Sequence, residues 1–174
     1  MMSDRQVAPS FELPNVGPGP DPCSLLALAS GSEFLVCFFH RDSECAECRT
    51  QAKRVRDRYD AFRARDAVAV LVLPDLPEDA RDWQRFDLPF PLLADPDHEA
   101  ADAYGQPAHL RVADDWSDFF GRMPTVAVVD ARGADPRIAW RHAAKAAWDR
   151  PATNDVLGAV DDCRKTDPPR ATGT

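Results

Sequence analysis

Two continuous apolar runs, Phe34 to Phe39 and Ala67 to Leu73, dominate the hydrophobic pattern of the chain. Runs of this length without polar alternation suit strands covered on both faces, as in a largely parallel sheet. Between them the period changes. Cys48, Ala52, Val55, Tyr59 and Phe62 recur at helical spacing with Arg, Asp and Lys between them, which predicts an amphipathic helix whose apolar face starts at Cys48. Asp42 or Ser43 is the expected N-cap, with Glu44 in the first turn. Strand, helix and strand in this order form a right-handed crossover and imply parallel pairing.

The α and β signals keep alternating on either side. Gln6 to Asn15 reads as an extended leading segment, and Gly17 to Pro22 is too rich in breakers to be other than loop. Pro77 opens a short helix carrying Ala80, Trp83 and Phe86, and Pro89 to Leu93 is extended. Asp95 to Asp97 leads into a helix through Ala100, Ala101 and Tyr104 that Gly105 stops. Gln106 to Arg122 has no clear period. Pro124 to Val129, a turn at Asp130 to Gly133, and Arg137 to Arg141 form a hairpin. Thr153 or Asn154 caps a last helix bearing Val156, Val160 and Cys163, and the tail from Lys165 is expected to be loose. The pattern is that of an α/β fold, a central mixed sheet flanked by helices.

At 174 residues the chain has room for one substantial core, so a single domain is expected over residues 1–174, with its folded body at 6–164. A net charge of −8, with no basic stretch clear of carboxylates, argues against nucleic acid as a partner. The charges are skewed in kind: the 21 basic residues include only Lys53, Lys145 and Lys165 as lysines, and the 29 acids are mostly aspartate. That balance resembles proteins of salt-accumulating halophiles, where ionic strength above about 1 M shrinks screening to roughly 3 Å; a GC-rich genome with an acidic surface is the plainer reading. No apolar run approaches the roughly 18 residues of a membrane helix, and Met1 to Gln6 lacks the apolar core of a signal peptide, so a cytoplasmic location is expected.

Of five cysteines, only Cys45 and Cys48 form a close pair, and without an export signal a disulfide-built fold is not expected. The pair lies where a central strand gives way to a helix, the sheet edge at which open α/β proteins bind ligands. With Ser43 as cap, Cys45 falls in the first turn, where unpaired N–H groups and the helix dipole favour a thiolate. Cys48 begins the apolar face and suits a buried thiol that resolves an intermediate. The dipole contributes only roughly 0.3 to 1 kcal/mol, less than one pKa unit, so Arg41 is the candidate thiolate stabiliser, helped by Arg49 and opposed by Asp42, Glu44 and Glu47.

Other readings stand beside this one. The cysteines could be small apolar fillers. Cys37, His40, Cys45 and Cys48 have zinc-ligand spacing, although Cys37 lies within the strand about 10 Å behind His40. His40 either passes a proton to a departing thiol or bonds a backbone carbonyl at the strand end, the latter being favoured. Trp83, Trp116, Phe119 and Phe120 line a groove or belong to the core, and His98, His109 and His142 have no ligand-spaced partner. Cys23, Cys37 and Cys163 are taken as inert.

Several segments, in order, resemble the peroxiredoxin-like branch of the thioredoxin superfamily, the alkyl hydroperoxide reductase/thiol-specific antioxidant (redoxin) family. They are Ala8 to Pro14, Phe38 to Arg41 with Cys45 to Arg49, Pro124 to Asp130, and Arg137 to His142 with Asp149 to Pro151. The resemblance implies a thioredoxin-like three-layer fold and a peroxiredoxin-like thiol redox enzyme, with Cys45 and Cys48 as catalytic residues. It also implies a cis bond between Met123 and Pro124 facing the dithiol, with the Met123 backbone pairing with an extended thiol substrate and Pro124 keeping competing groups from the sulfurs. Implied partners are a peroxide or disulfide substrate and a thiol reductant such as a thioredoxin system; no metal or other cofactor is called for. The chain departs from the family pattern P-x-x-x-T-x-x-C, since Phe38 and Asp42 stand where proline and threonine would precede Cys45. Arg122 either stands in, at an unusual offset, for the family's peroxide-orienting arginine or is an exposed loop arginine, the latter being favoured. Disulfide exchange without peroxidase activity, and a redox-inactive binding module, are the alternatives.

Overall fold

The computed structural model describes residues 5–106, 123–146 and 148–170. Val7 bridges to Arg137, and β1 (Glu12–Leu13) pairs antiparallel with β2 (Cys23–Ser24). Between these two strands the breaker-rich loop is organised by the buried side chain of Asn15. Its amide nitrogen donates to the Pro18 and Pro20 carbonyls at 2.9 and 3.0 Å, and its oxygen accepts from the N–H groups of Gly17 and Leu92 at 2.9 and 3.0 Å. Asp21–Pro22 is the one cis peptide among the described residues. The next helix, α1 (Leu25–Gly31), was not anticipated; its marker is Ser24, whose hydroxyl accepts from the Ala27 N–H at 3.1 Å.

After β3 (Phe34–Phe39), the predicted single helix is two, α2 (Ala46–Asp57) and α3 (Tyr59–Arg63). The chain breaks at Arg58, where φ −110° and ψ 16° leave the helical region and the N–H is shared among preceding carbonyls. The apolar stripe survives this break, because Cys48, Ala52, Val55, Tyr59 and Phe62 are all buried. Then come β4 (Ala67–Leu73), α4 (Pro77–Ala80), a 3-10 stretch at Arg81–Phe86, β5 (Leu92–Ala94) and α5 (Glu99–Ala103), beyond which Gly105 adopts φ +74°. The hairpin is β6 (Thr125–Asp130) and β7 (Arg137–Ala143), followed by α6 (Thr153–Arg164). The N-cap of α6 is Ala152 rather than Thr153 or Asn154; the Asp155 carboxylate accepts the Ala152 N–H at 3.1 Å from inside the first turn.

The mixed five-stranded sheet runs β5-β4-β3-β6-β7, with β3 parallel to β4 and antiparallel to β6. Side chains of β3 alternate between two cores. Phe34, Val36 and Phe38 pack with residues of α2, α3 and α6, while Leu35, Cys37 and Phe39 pack with α1 and α5. Three layers result, each fully buried Phe or Leu contributing roughly 1.5–3 kcal/mol. Beyond α6, the segment expected to be loose begins tied, as Arg132 Nη2 donates to the Thr166 carbonyl at 3.1 Å. The register pairs Phe39 with Thr125, so Met123 and Pro124 lie at the same sheet edge as the end of β3. No helix among the described residues is long and apolar enough to cross a membrane.

Candidate active site

The loop leaving β3 is held by Ser43. Its N–H and hydroxyl donate to the two Asp75 carboxylate oxygens at 3.0 and 2.8 Å, which fixes it to the segment following β4. Its carbonyl accepts from Arg49 Nε at 3.0 Å, Arg49 Nη2 at 2.8 Å and the buried Trp83 Nε1 at 3.0 Å. Ser43 is therefore not the helix cap, and Trp83 belongs to the core, where it steadies this loop. The N-cap is Cys45 itself. Its backbone is extended, and its sulfur accepts the Cys48 N–H at 3.2 Å, as a serine hydroxyl would.

Cys45 is 9% exposed and Cys48 not at all, so Cys45 is the more accessible of two buried sulfurs. The cation at the sulfurs is one that sequence reasoning missed. Arg150, from the segment between β7 and α6, sets Nη2 3.3 Å from the Cys45 sulfur and 3.1 Å from that of Cys48. Arg41 meets the pair through its backbone, whose N–H lies 3.4 Å from the Cys48 sulfur. The Cys45 thiol is lowered from 9.0 to about 6, chiefly by the hydrogen bond from Cys48, then by the Cys48 N–H and the Arg150 charge, against burial and Asp42. Burial, followed by its donation to Cys45, raises the Cys48 thiol. One sulfur is poised to carry the charge and the other the proton.

His40 is buried and bonds neither a backbone carbonyl through its ring nor a sulfur; its Nε2 lies 3.1 Å from Gln51 Oε1. Burial, followed by the Arg150 charge, lowers its pKa to about 3, so it is neutral at physiological pH. Cys37 points into the opposite core from Cys45 and Cys48, so the zinc-like spacing does not converge, and among the described residues no metal-ligating cluster forms. Burial raises the Cys23 and Cys163 thiols and pushes Cys37 up to about 12. Met123 is buried and Pro124 leads into β6 by a trans bond, which corrects the implied cis geometry; trans is the ordinary state of X–Pro, and the hairpin closes over it with the Ala144 N–H donating to the Pro124 carbonyl at 3.0 Å. Arg122, His109, Trp116, Phe119 and Phe120 lie outside the described residues.

A mixed sheet between helical layers, with a thiol pair at the helix following its central strand, defines a thioredoxin-like fold of the peroxiredoxin kind. A family model described as AhpC/TSA family matches residues 5–134, and the chain belongs to that family. Peroxiredoxin Bcp of Bacillus subtilis (strain 168) is 33% identical over 73 residues, which are 41% of this chain and 46% of Bcp, so the match spans under half of that relative. Among solved structures, peroxidoxin BcpB from Mycobacterium tuberculosis superposes with a TM-score of 0.72 at 21% identity, over 94% of this chain and 97% of that one. The reduced 2-Cys peroxiredoxin of Plasmodium vivax gives 0.74 at 14% identity, over 91% and 94%. At these identities the likeness concerns the fold. Arg150 lies beyond the matched family segment.

Proposed function

We propose that the protein is a thiol peroxidase that reduces hydroperoxides with the Cys45 and Cys48 dithiol. The observation that carries this reading is the single Arg150 nitrogen within 3.3 Å of both sulfurs, beside a thiol lowered to about 6. The Cys45 thiolate attacks the near oxygen of the peroxide; an S–O bond forms, the O–O bond breaks, and the departing oxygen takes a proton to leave as water or an alcohol. Cys48 then attacks the resulting sulfenic acid, and water leaves as the disulfide forms. An external dithiol, such as a thioredoxin system, returns two electrons. Spacing within one helical turn lets the disulfide close without unfolding α2. The low exposure of Cys45 favours a small oxidant over the disulfide of a folded protein.

Thiol–disulfide exchange is the second reading, favoured by Phe38 and Asp42 at the places where the family pattern has proline and threonine. Met123 and Pro124, at the same edge, are the candidate substrate contacts under either reading. Acting in the cytoplasm of a cell with high internal salt fits the aspartate-rich, lysine-poor composition. The test is stopped-flow oxidation by hydrogen peroxide beside a disulfide-reduction assay, on wild type and Cys45→Ser. Rapid peroxide consumption that Cys45→Ser abolishes supports the peroxidase. Disulfide turnover alone supports exchange, and reactivity that survives in Cys45→Ser overturns both.

A further inference from the structure

Gln51 is a polar residue on the buried stripe of α2, between Cys48 and Val55. A buried amide needs partners, and its oxygen has two: Arg150 Nη1 and His40 Nε2, each at 3.1 Å. A guanidinium can only donate, so the atom facing it is the carbonyl oxygen. That same atom faces His40, so Nε2 carries the imidazole hydrogen. Nδ1 is then left as a buried lone pair without a hydrogen-bond partner. Both donors converge on one oxygen, and the directions follow without ambiguity: His40 to Gln51, Arg150 to Gln51, and Arg150 again to the two sulfurs.

We infer that Gln51 is a positioning residue, locked in orientation by His40, that holds Arg150 over the dithiol. The guanidinium is planar and rigid, so anchoring Nη1 fixes where Nη2 points. The anchor acts on a side chain that comes from the irregular stretch between β7 and α6 and is rich in rotamers. His40 supplies what a lone glutamine lacks. Without that N–H the amide could rotate its NH2 toward Arg150, donor against donor. The neutral state of His40 belongs to the arrangement, since a second cation beside Arg150 would repel it.

This inference rests on Cys45 being the reactive thiol but requires no turnover, so its test uses thiolate absorbance and the pH dependence of alkylation on the full chain. Gln51→Met keeps length and apolar character without an acceptor, and His40→Phe keeps the ring packing without the donor. The Cys45 midpoint is expected to rise by about 0.5–1 pH unit in Gln51→Met, and by less in His40→Phe. Gln51→Glu is expected to raise it too, because the new carboxylate pairs with the Arg150 charge while keeping the anchor. Combining Gln51→Met with Arg150→Met is expected to give no more shift than Arg150→Met alone. A midpoint unchanged in both Gln51→Met and Gln51→Glu, or a Gln51→Met shift that adds in full to that of Arg150→Met, overturns the inference. Should Gln51→Met fail to fold, His40→Phe and Gln51→Glu decide, with no shift in either counting against it. A thiolate signal that persists in Cys45→Ser would instead refute the assignment of Cys45.

Discussion

Arg150 sets Nη2 3.3 Å from the Cys45 sulfur across 105 residues of chain. A cation this close is worth about 1–3 pKa units to an anion. Arg150→Met is therefore expected to raise the Cys45 midpoint by that amount and to slow peroxide reduction at pH 7 by about 2- to 90-fold, as the thiolate fraction falls. Titration at the thiolate absorbance band, beside stopped-flow rates, checks it. An unmoved midpoint would leave the arginine with a packing role only.

The pH profile follows from the same thiol. Only the thiolate attacks, so the rate is expected to climb as pH rises through about 6 and to level off above it. Stability moves in the same direction. A thiol with a lowered folded pKa contributes stability that is fully present above its unfolded value and is lost as pH falls through about 6. The Tm of the reduced protein, measured against Cys45→Ser, is expected to gain between pH 6 and pH 9; a constant difference over that range would contradict the lowered pKa.

The two cysteines have separable tasks. Cys48→Ser is expected to keep the fast first reaction with peroxide and then to stop at a sulfenic acid that a dimedone-type reagent captures. Cys45→Ser is expected to lose the fast phase. Intact-mass measurement after one equivalent of oxidant distinguishes these outcomes from the reverse assignment, in which the fully buried sulfur attacks first.

Asn15 uses both halves of its amide, donating to two carbonyls and accepting from two N–H groups. Asn15→Asp is nearly isosteric but turns the donor end against the Pro18 and Pro20 carbonyls. A loss of about 2–4 kcal/mol is expected from urea unfolding, comparable to that of Asn15→Ala. Peroxide reduction by the folded fraction is expected to change far less than stability, because the partners of Asn15 are Gly17, Pro18, Pro20 and Leu92, none of them a residue of the dithiol loop.

Strands β3 and β4 are readable in the sequence because a run of apolar residues has few other places to go. The hairpin of β6 and β7 is readable because its turn chemistry brackets two apolar arms. The helix start is not: Ser43 has the chemistry of a cap, but its hydroxyl is committed to Asp75, 32 residues away, which leaves the capping bond to Cys45. Arg41 was the natural partner for the thiolate by proximity along the chain, whereas the cation at the sulfurs is delivered by tertiary placement of a segment beyond β7. Gln51 left a readable trace, a lone amide on the buried stripe of α2. Such a residue is a sound first place to look for a partner from elsewhere in the fold.

The sulfur that reacts is also the sulfur that caps α2. When Cys45 passes into a disulfide it ceases to be an anion and becomes a poor acceptor, so every turnover removes a restraint from the first turn of that helix. Amide exchange at Cys48 should therefore quicken on oxidation and slow again on reduction, which would make the end of the helix a spectroscopic reporter of the redox state of the protein.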